Sequence, residues 1–117
     1  MRKFIYCPLC SEKLQEAIIE DRQRQVCPQC NYVHYINPIP ATAAIGERDG
    51  QILLIKRGLE PRKGLWTFPS GFMEADETPE EGCLRELFEE TGMKGTIKTL
   101  AGVFHEYTKL YGDLLSI

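Results

Sequence analysis

Three glutamates near the middle of the chain have the types and spacing that could hold a metal ion. Glu86, Glu89 and Glu90 lie in the segment 71–93, GFMEADETPEEGCLRELFEETGM, which contains eight acidic residues and a single base, Arg85. Residues at i, i+3 and i+4 share one face of a helix, so these carboxylates converge if the segment is helical. Hard divalent cations prefer such oxygen ligands and can bridge them to phosphate oxygens. A metal site is one interpretation of this pattern, and an acidic helix face in solvent is the other.

The sequence around these glutamates predicts one helix, from Pro79 to Thr91. Thr78 and Glu81 have the spacing of a capping box before an apolar run. Proline suits the first helical position, and Gly92 suits the position just past the end. Four residues at i, i+3, i+4 and i+7 are expected to form the buried stripe. They are Leu84, Leu87, Phe88 and Thr91.

A glycine inside the predicted helix supports an occupied site. Gly82 lies one turn before Glu86 on the same face. Glycine in a helix interior costs about 1 kcal/mol relative to alanine. Because a side chain at this position would cover the carboxylates, we expect the glycine to leave room for what they bind.

Four of the five cysteines predict a second, structural metal site. They form two Cys-x-x-Cys pairs separated by sixteen residues: Cys7, Cys10, Cys27 and Cys30. This spacing is typical of a four-cysteine Zn²⁺ ribbon, and a redox motif would need only one pair. Zn²⁺ would replace the hydrophobic core that so few residues cannot build. Ser11 and Asn31 stand where such turns usually carry glycine, and Cys83 is expected to be a small, partly buried apolar residue.

The acidic segment resembles the Nudix box at every fixed position of that motif. The matching positions are Gly71, Glu77, Arg85, Glu86, Leu87, Glu89, Glu90, Gly92 and the apolar Met93. The resemblance implies a Nudix hydrolase, which cleaves a nucleoside diphosphate linked to another moiety. It implies that Glu86, Glu89 and Glu90 bind Mg²⁺ or Mn²⁺, with the carbonyl of Gly71 as a further ligand. It also implies that Glu77 and Arg85 pair to hold the helix in place.

A zinc ribbon followed by a Nudix box narrows this resemblance to a subgroup. With its motifs in this order, the chain resembles NADH pyrophosphatases or relatives that act on ADP-ribose-like or FAD-like dinucleotides. The predicted domains are a zinc ribbon at 1–36 and a Nudix domain at 37–117. The fold implied for the second domain is an α/β/α sandwich. Only 24 residues follow the box, so this sandwich is expected to lack its C-terminal part.

Residues before the box are candidates for contact with substrate. Arg57, Arg62 and Lys63 could bind phosphate groups, and charged loop residues in solvent are the equal alternative. Trp66 could stack on a base or flavin ring. For Trp66 the interpretation as a core aromatic at the start of a strand is favoured.

The remaining pattern predicts strands and one tight turn. Segments 15–20 and 23–26 are expected to pair around Asp21 and Arg22. Segments 41–46 and 52–55 are expected to form a hairpin around Asp49-Gly50, a pair that favours primed turns. Further strands are predicted within 95–108 and at 113–117.

Composition and charge exclude several classes of function. No run approaches the length of about 18 apolar residues that a membrane span needs, and the N-terminus lacks the apolar stretch of a signal peptide. Residues 1–36 hold five bases and four acids, which is weak for binding a nucleic-acid backbone. We therefore expect a soluble cytoplasmic protein with a nucleotide as its small-molecule substrate. An exposed sheet edge on a short domain favours a homodimer.

The function predicted from these features is Mg²⁺- or Mn²⁺-dependent hydrolysis of a pyrophosphate into monophosphates. The substrate would be of the ADP-ribose, FAD or NADH type. Two alternatives stay open. One is an inactive Nudix scaffold that binds a nucleotide, and the other is a zinc ribbon that binds nucleic acid.

Overall fold

The structure, a computed structural model, describes residues 3–117. The chain divides into two compact units, the first ending at Asn37 and the second covering Pro38–Ile117. This division lies next to the boundary expected after residue 36. Among residues 3–117, no helix has the length and apolar character that crossing a membrane requires.

The first unit is a three-stranded antiparallel sheet beside the cysteine pairs. Its strands are β1 (Gln15–Ile19), β2 (Arg22–Val26) and β3 (Val33–His34). Strands β1 and β2 pair from Gln15↔Val26 to Ile19↔Arg22, so the predicted hairpin is confirmed. Its turn falls at Glu20 and Asp21, both in the left-handed region with φ of 52° and 61°.

The second unit is a mixed sheet with one helix against it. Its elements are β4 (Ile39–Ala43), β5 (Glu47–Arg48), β6 (Gln51–Ile52), β7 (Ile55–Lys56), β8 (Trp66–Thr67), β9 (Ser70–Phe72), α1 (Pro79–Thr91), β10 (Phe104–Thr108) and β11 (Gly112–Ser116). The main sheet has the order β10-β11-β4-β9. Strand β4 is antiparallel to β9 and parallel to β11, and α1 packs on β4 and β9. The predicted α/β fold class is confirmed, and within residues 3–117 the helical layer consists of α1.

The turn at Asp49-Gly50 is present, but the strand predicted before it is wrong. Asp49 and Gly50 have φ of 52° and 74°, as a primed turn requires, and they join the short strands β5 and β6. Of the segment expected to lead into this turn, the first residues belong to β4, which ends at Ala43 and lies in the main sheet, and only Gly46 takes part in the hairpin, where its carbonyl accepts from the Leu53 N–H at 2.8 Å. Local pattern cannot distinguish a hairpin strand from a central strand that hydrogen-bonds on both sides.

The helix was predicted with its correct bounds because its end signals are local. The Thr78 Oγ1 accepts a hydrogen bond from the Glu81 N–H at 3.2 Å, and the Thr78 N–H donates to Glu81 Oε2 at 2.8 Å. Gly92 has a φ of 70°, and its N–H donates to the Phe88 carbonyl at 2.7 Å. Both ends of α1 are therefore capped by the residues expected.

The buried side of α1 differs from the predicted stripe at one position. Leu87 is buried as expected, and Gly82 is buried with it. Phe88 is 50% exposed, so its predicted burial is wrong in the described structure. The helix contacts β4 and β9, and Gly82 faces Thr42 of β4.

The last predicted strands are present with narrower bounds. Strands β10 and β11 pair from Phe104↔Ser116 to Thr108↔Gly112. The segment 92–103 contains neither helix nor strand, so the range 95–108 holds the single strand β10. Five exposed large apolar residues lie in or next to β10: Val103, Phe104, Tyr107, Leu110 and Tyr111.

Replacing Thr78 by alanine removes the hydroxyl that caps α1, so we expect the free energy of unfolding to fall by about 1 kcal/mol. For a chain of this length the midpoint of thermal unfolding should fall by about 4 °C. Thr96→Ala is the matched control, since Thr96 is exposed and lies outside helix and strand. Equal unfolding midpoints for the two variants, measured by circular dichroism, would contradict the capping role.

Candidate active site

A carboxylate from α1 lies directly on the backbone of β9. Gly71 is paired with Thr42 of β4, and the Glu86 carboxylate occupies the space above it. A Cβ added at Gly71 would overlap the Glu86 carboxylate. The Glu86 side chain is only 12% exposed. The absence of a side chain at Gly71 therefore lets this carboxylate approach the main chain closely.

The other two glutamates of the predicted face have different surroundings. The Ser70 N–H donates a hydrogen bond to Glu90 Oε2 at 3.1 Å, so Glu90 is also held against β9. Partial burial, with the charges of Glu86 and Glu89, raises the pKa of the Glu90 carboxyl, against the Ser70 hydrogen bond and the charge of Arg57. The Glu89 side chain is 55% exposed. Glu86 is thus the most enclosed of the three, while Glu89 and Glu90 are both exposed and Glu90 is tied to β9 by one hydrogen bond.

Arg85 connects the helix to the loop before it. Its Nη2 and Nε donate to the two oxygens of Glu77 at 2.6 and 2.8 Å. Its Nη2 also donates to the Phe72 carbonyl at 3.1 Å. Its Nη1 contacts Glu86 Oε1 at 2.7 Å and Glu89 Oε2 at 3.3 Å. One guanidinium therefore ties the loop, the strand and two of the three glutamates together.

Glu77 occupies the space that the sequence analysis assigned to the three glutamates. A Cβ at Gly82 would lie 2.8 Å from Glu77 Oε1, so this glycine makes room for Glu77 and not for the carboxylates of the helix face. The Arg85 hydrogen bonds, with the Glu74 N–H at 2.8 Å, lower the pKa of Glu77 to about 2. Glu77 is therefore a charged residue at neutral pH, fixed beneath the start of α1.

The acidic face fits a hard divalent cation in its chemistry and in its position on β9. In the part of the chain that the structure describes, the four cysteines form the one group of three or more His, Cys, Asp or Glu whose ligand atoms all lie within 4.8 Å of each other. The carboxylates of Glu86, Glu89 and Glu90 are spread more widely, since like charges repel and Arg85 draws Glu86 and Glu89 to itself. Their donor atoms are all oxygen, and the Glu86 carboxylate lies against the backbone of Gly71.

A cavity of about 390 Å³ adjoins Glu90. It is lined by Ile55, Lys56, Arg57, Gly58, Leu59, Thr67, Phe68, Ser70 and Glu90. Of the four predicted substrate residues, Arg57 lines it and Arg62, Lys63 and Trp66 do not. Trp66 is 65% exposed, so the interpretation of it as a core aromatic is wrong for the described structure.

Of the nine residues that line the cavity, the sequence analysis named only Arg57 and Glu90 as site residues, and it missed Lys56 and Ser70 among the others. Lys56 directly precedes Arg57, and a second base beside the first was the available signal. Ser70 contributes a backbone N–H, which residue type does not reveal. Arg57 itself is held in place because its Nε donates to the Pro61 carbonyl at 2.7 Å.

The four cysteines of the first unit lie together in the geometry of a tetrahedral metal site. The sulfurs of Cys7 and Cys30 are 3.6 Å apart, and those of Cys10 and Cys27 are 3.5 Å apart. Four sulfurs at about 2.3 Å from a tetrahedral Zn²⁺ have edges of about 3.8 Å, so the cluster fits this ion. Ser11 and Asn31 have φ of 65° and 62°, the left-handed conformation for which glycine is usual at these turns.

The turns of the cysteine pairs also direct backbone N–H groups at sulfur. The Leu9 N–H lies 3.4 Å from the Cys7 sulfur, and the Cys30 N–H lies 3.5 Å from the Cys27 sulfur. The second contact lowers the pKa of the Cys27 thiol to about 7. Such contacts favour the thiolate form, which is the form that binds metal.

Comparisons with protein families match both units. The NUDIX domain model matches residues 37–113, and the model described as Nudix N-terminal, a zinc ribbon, matches residues 5–36. An ADP-ribose pyrophosphatase of Methanocaldococcus jannaschii is 47% identical over 73 residues, which cover 62% of this chain and 43% of that protein. A NAD-capped RNA hydrolase NudC of Haemophilus influenzae is 36% identical over 97 residues, which cover 81% of this chain and 35% of that protein.

A solved structure extends the likeness to nearly the whole chain. The crystal structure of a NUDIX hydrolase from Nitrosomonas europaea matches with a TM-score of 0.82 and 32% identity. The match covers 97% of this chain and 65% of that one. The chain thus spans less than half the length of the two curated relatives above and about two thirds of this structure.

Replacing Cys27 by serine removes a buried sulfur ligand, so we expect the Zn²⁺ content of purified protein to fall from about one per chain to near zero. The first unit should then lose its fold, while α1 keeps its helical signal. Cys83→Ser is the matched control, because Cys83 lies outside the sulfur cluster and should leave Zn²⁺ content unchanged. Elemental analysis with far-UV circular dichroism checks both results, and full Zn²⁺ occupancy in Cys27→Ser would contradict the site.

Proposed function

The chain belongs to the Nudix family, and from that premise we propose that it hydrolyses the pyrophosphate of a nucleoside diphosphate linked to another moiety. In this reaction a water oxygen forms a bond to one phosphorus and the bridging oxygen leaves on the other. The products are two monophosphates, and the protons released pass to solvent. The proposed ions are Mg²⁺ or Mn²⁺ for this reaction and Zn²⁺ for the ribbon.

The observation that carries this proposal is the pair of carboxylates that α1 places on β9. Glu86 lies over the bare backbone of Gly71, and Glu90 is held by the Ser70 N–H one residue earlier. Both are therefore fixed to the same short strand, beside a cavity that contains Arg57 and Lys56. A solvated acidic face would require neither the close approach at Gly71 nor the hydrogen bond at Ser70.

Residues of the site divide into those that hold a metal ion and those that hold the substrate. Glu86, Glu90, the more exposed Glu89 and the carbonyl of Gly71 would bind Mg²⁺ or Mn²⁺. When bound, such an ion neutralises phosphate charge and lowers the pKa of a coordinated water. The Ser70 N–H orients the Glu90 carboxylate through its hydrogen bond to Oε2. Arg85 orients Glu86 through its hydrogen bond at 2.7 Å and keeps its own position through Glu77.

The cavity supplies contacts suited to a nucleotide. Arg57 and Lys56 provide positive charge for phosphate oxygens, and Arg57 is partly fixed by the Pro61 carbonyl. Ile55, Leu59 and Phe68 provide apolar surface for a base or sugar. This combination supports a substrate with both a diphosphate and a ring system.

ADP-ribose is the first substrate we propose, with FAD and NADH after it. The relative from Methanocaldococcus jannaschii, an ADP-ribose pyrophosphatase, supports this order because it has the higher identity of the two curated relatives compared. Arg62, Lys63 and Trp66 lie outside the cavity, so any contact from them would be with the outer part of the substrate. A homodimer and a cytoplasmic location remain predictions from the sequence.

Replacing Gly71 by alanine tests whether metal binding needs the close approach of Glu86 to the backbone at this position. The new methyl group would collide with the flexible end of Glu86, so the carboxylate should move while the fold remains. We expect affinity for Mn²⁺ to fall by about tenfold or more, as when a ligand's support is lost, with the unfolding midpoint nearly unchanged. Gly58→Ala is the matched control, since a Cβ there meets no atom within 4 Å. Isothermal titration with Mn²⁺ measures the affinity of each variant. Equal affinities of Gly71→Ala and Gly58→Ala would contradict a role for Glu86 in binding the ion.

Replacing Glu90 by glutamine tests the reaction itself. We expect kcat/KM for ADP-ribose with Mg²⁺ to fall by about 100-fold or more, because a neutral amide is a poor metal ligand. Glu80→Gln makes the same change at an exposed position in the first turn of α1 and should leave turnover unchanged. Release of monophosphate is followed by chromatography. Undiminished turnover in Glu90→Gln would rule out its metal role, and tight nucleotide binding without product in the unaltered protein would favour the inactive scaffold.

A further inference from the structure

The hydroxyl of Thr42 is a buried polar group that the proposed reaction does not use. Thr42 is 1% exposed, in the middle of β4. Its Oγ1 has no hydrogen-bond partner in the range 3–117. Buried hydroxyls are nearly always hydrogen-bonded in native proteins, because leaving one without a partner is costly. An isosteric valine would avoid this cost, so a threonine here calls for a physical reason.

The hydroxyl lies under the first half of α1, next to a carboxylate. Thr42 is directly opposite Gly71, and residues opposite each other in an antiparallel pair direct their side chains to the same face. A Cβ added at Gly82 would lie 3.5 Å from Thr42 Oγ1 and 2.8 Å from Glu77 Oε1. Both oxygens therefore border the space that the missing side chain of Gly82 leaves open.

Glu77 can accept one more hydrogen bond, on its Oε2. Its Oε1 accepts from the Glu74 N–H and from Arg85 Nη2, and its Oε2 accepts from Arg85 Nε. A carboxylate has about four lone-pair sites, so three donors leave capacity for a fourth. Beside this space, Glu77 offers an acceptor and Thr42 offers a donor.

We propose that Thr42 is a positioning residue whose hydroxyl donates to Glu77 through one bridging water. Glu77 holds Arg85, and Arg85 holds Glu86 at 2.7 Å. The hydroxyl thereby limits the movement of a carboxylate that lies over Gly71. The contact with Glu77 stands by itself, and its effect on Glu86 rests on the proposed function.

Two substitutions at Thr42 separate the hydroxyl from the volume of the side chain. Thr42→Val keeps the shape and removes the donor, and Thr42→Ser keeps the donor. In metal-free protein we expect Thr42→Val to lower the unfolding midpoint by about 4 °C. The fall caused by Thr42→Ser should be less than half as large. A hydroxyl with no partner gives the opposite sign, because valine then stabilises the fold. An equal or higher midpoint for Thr42→Val would therefore overturn the proposal. Thr96→Val is the control for the same substitution at an exposed position.

The link to Glu77 is tested by combining the changes. In a Glu77→Ala background the partner is gone, so the shift caused by Thr42→Val should fall to less than half. An undiminished shift would mean that the hydroxyl acts elsewhere. If the double variant does not fold, the comparison of Val with Ser at Thr42 still decides the proposal.

The effect on the metal site is measured by titrating Mn²⁺ into each single variant. We expect Thr42→Val to weaken binding by about threefold or more and Thr42→Ser to restore it, as a supporting hydrogen bond does. Equal affinity in all variants overturns the positioning role. If the unaltered protein binds no Mn²⁺ while the shifts in unfolding persist, the proposed function fails and the contact between Thr42 and Glu77 stands.

Discussion

The guanidinium of Arg85 is the interaction on which the acidic half of the molecule depends. It is the single base in a segment with eight acidic residues, and it contacts Glu77, Glu86 and Glu89. Mutual repulsion among the carboxylates would otherwise separate the loop from the helix. Paired hydrogen bonds to Glu77 also have a planar geometry that a lysine could not reproduce. The orientation of α1 on β9 therefore depends on one charged side chain held from several directions.

This arrangement explains why the glutamates of one helix face have unlike roles in the structure. Glu86 is in contact with both Arg85 and the backbone at Gly71, and Glu90 is held by a backbone N–H. Glu89 remains largely in solvent and makes a longer contact of 3.3 Å to Arg85. A bound cation would compete with Arg85 for the oxygens of Glu86 and Glu89. Within the acidic segment, Arg85 balances part of the negative charge.

Local signals in the sequence predicted the helix and the cysteine cluster, and tertiary contacts explain what they missed. The bounds of α1 follow from Thr78, Glu81 and Gly92, which act within one helical turn of its ends. The purpose of Gly82 could not be predicted, because Glu77 reaches it from outside the helix. Phe88 and the segment 41–46 were misassigned for the same reason, since helical period and alternation do not reveal which neighbours are available. The Nudix resemblance correctly predicted the family, whereas the cavity beside Glu90 required the backbone course of β7 and β8.

The bare backbone at Gly71 has a consequence for how a molecule of this kind diversifies. The position of the Glu86 carboxylate is limited by main-chain atoms of Gly71, which do not change when side chains elsewhere are substituted. The cavity walls come from β7, the loop after it and the segment from Thr67 to Ser70. A change of residue type in those walls would alter the shape and charge of the cavity, while Glu86 would still lie against the backbone of Gly71.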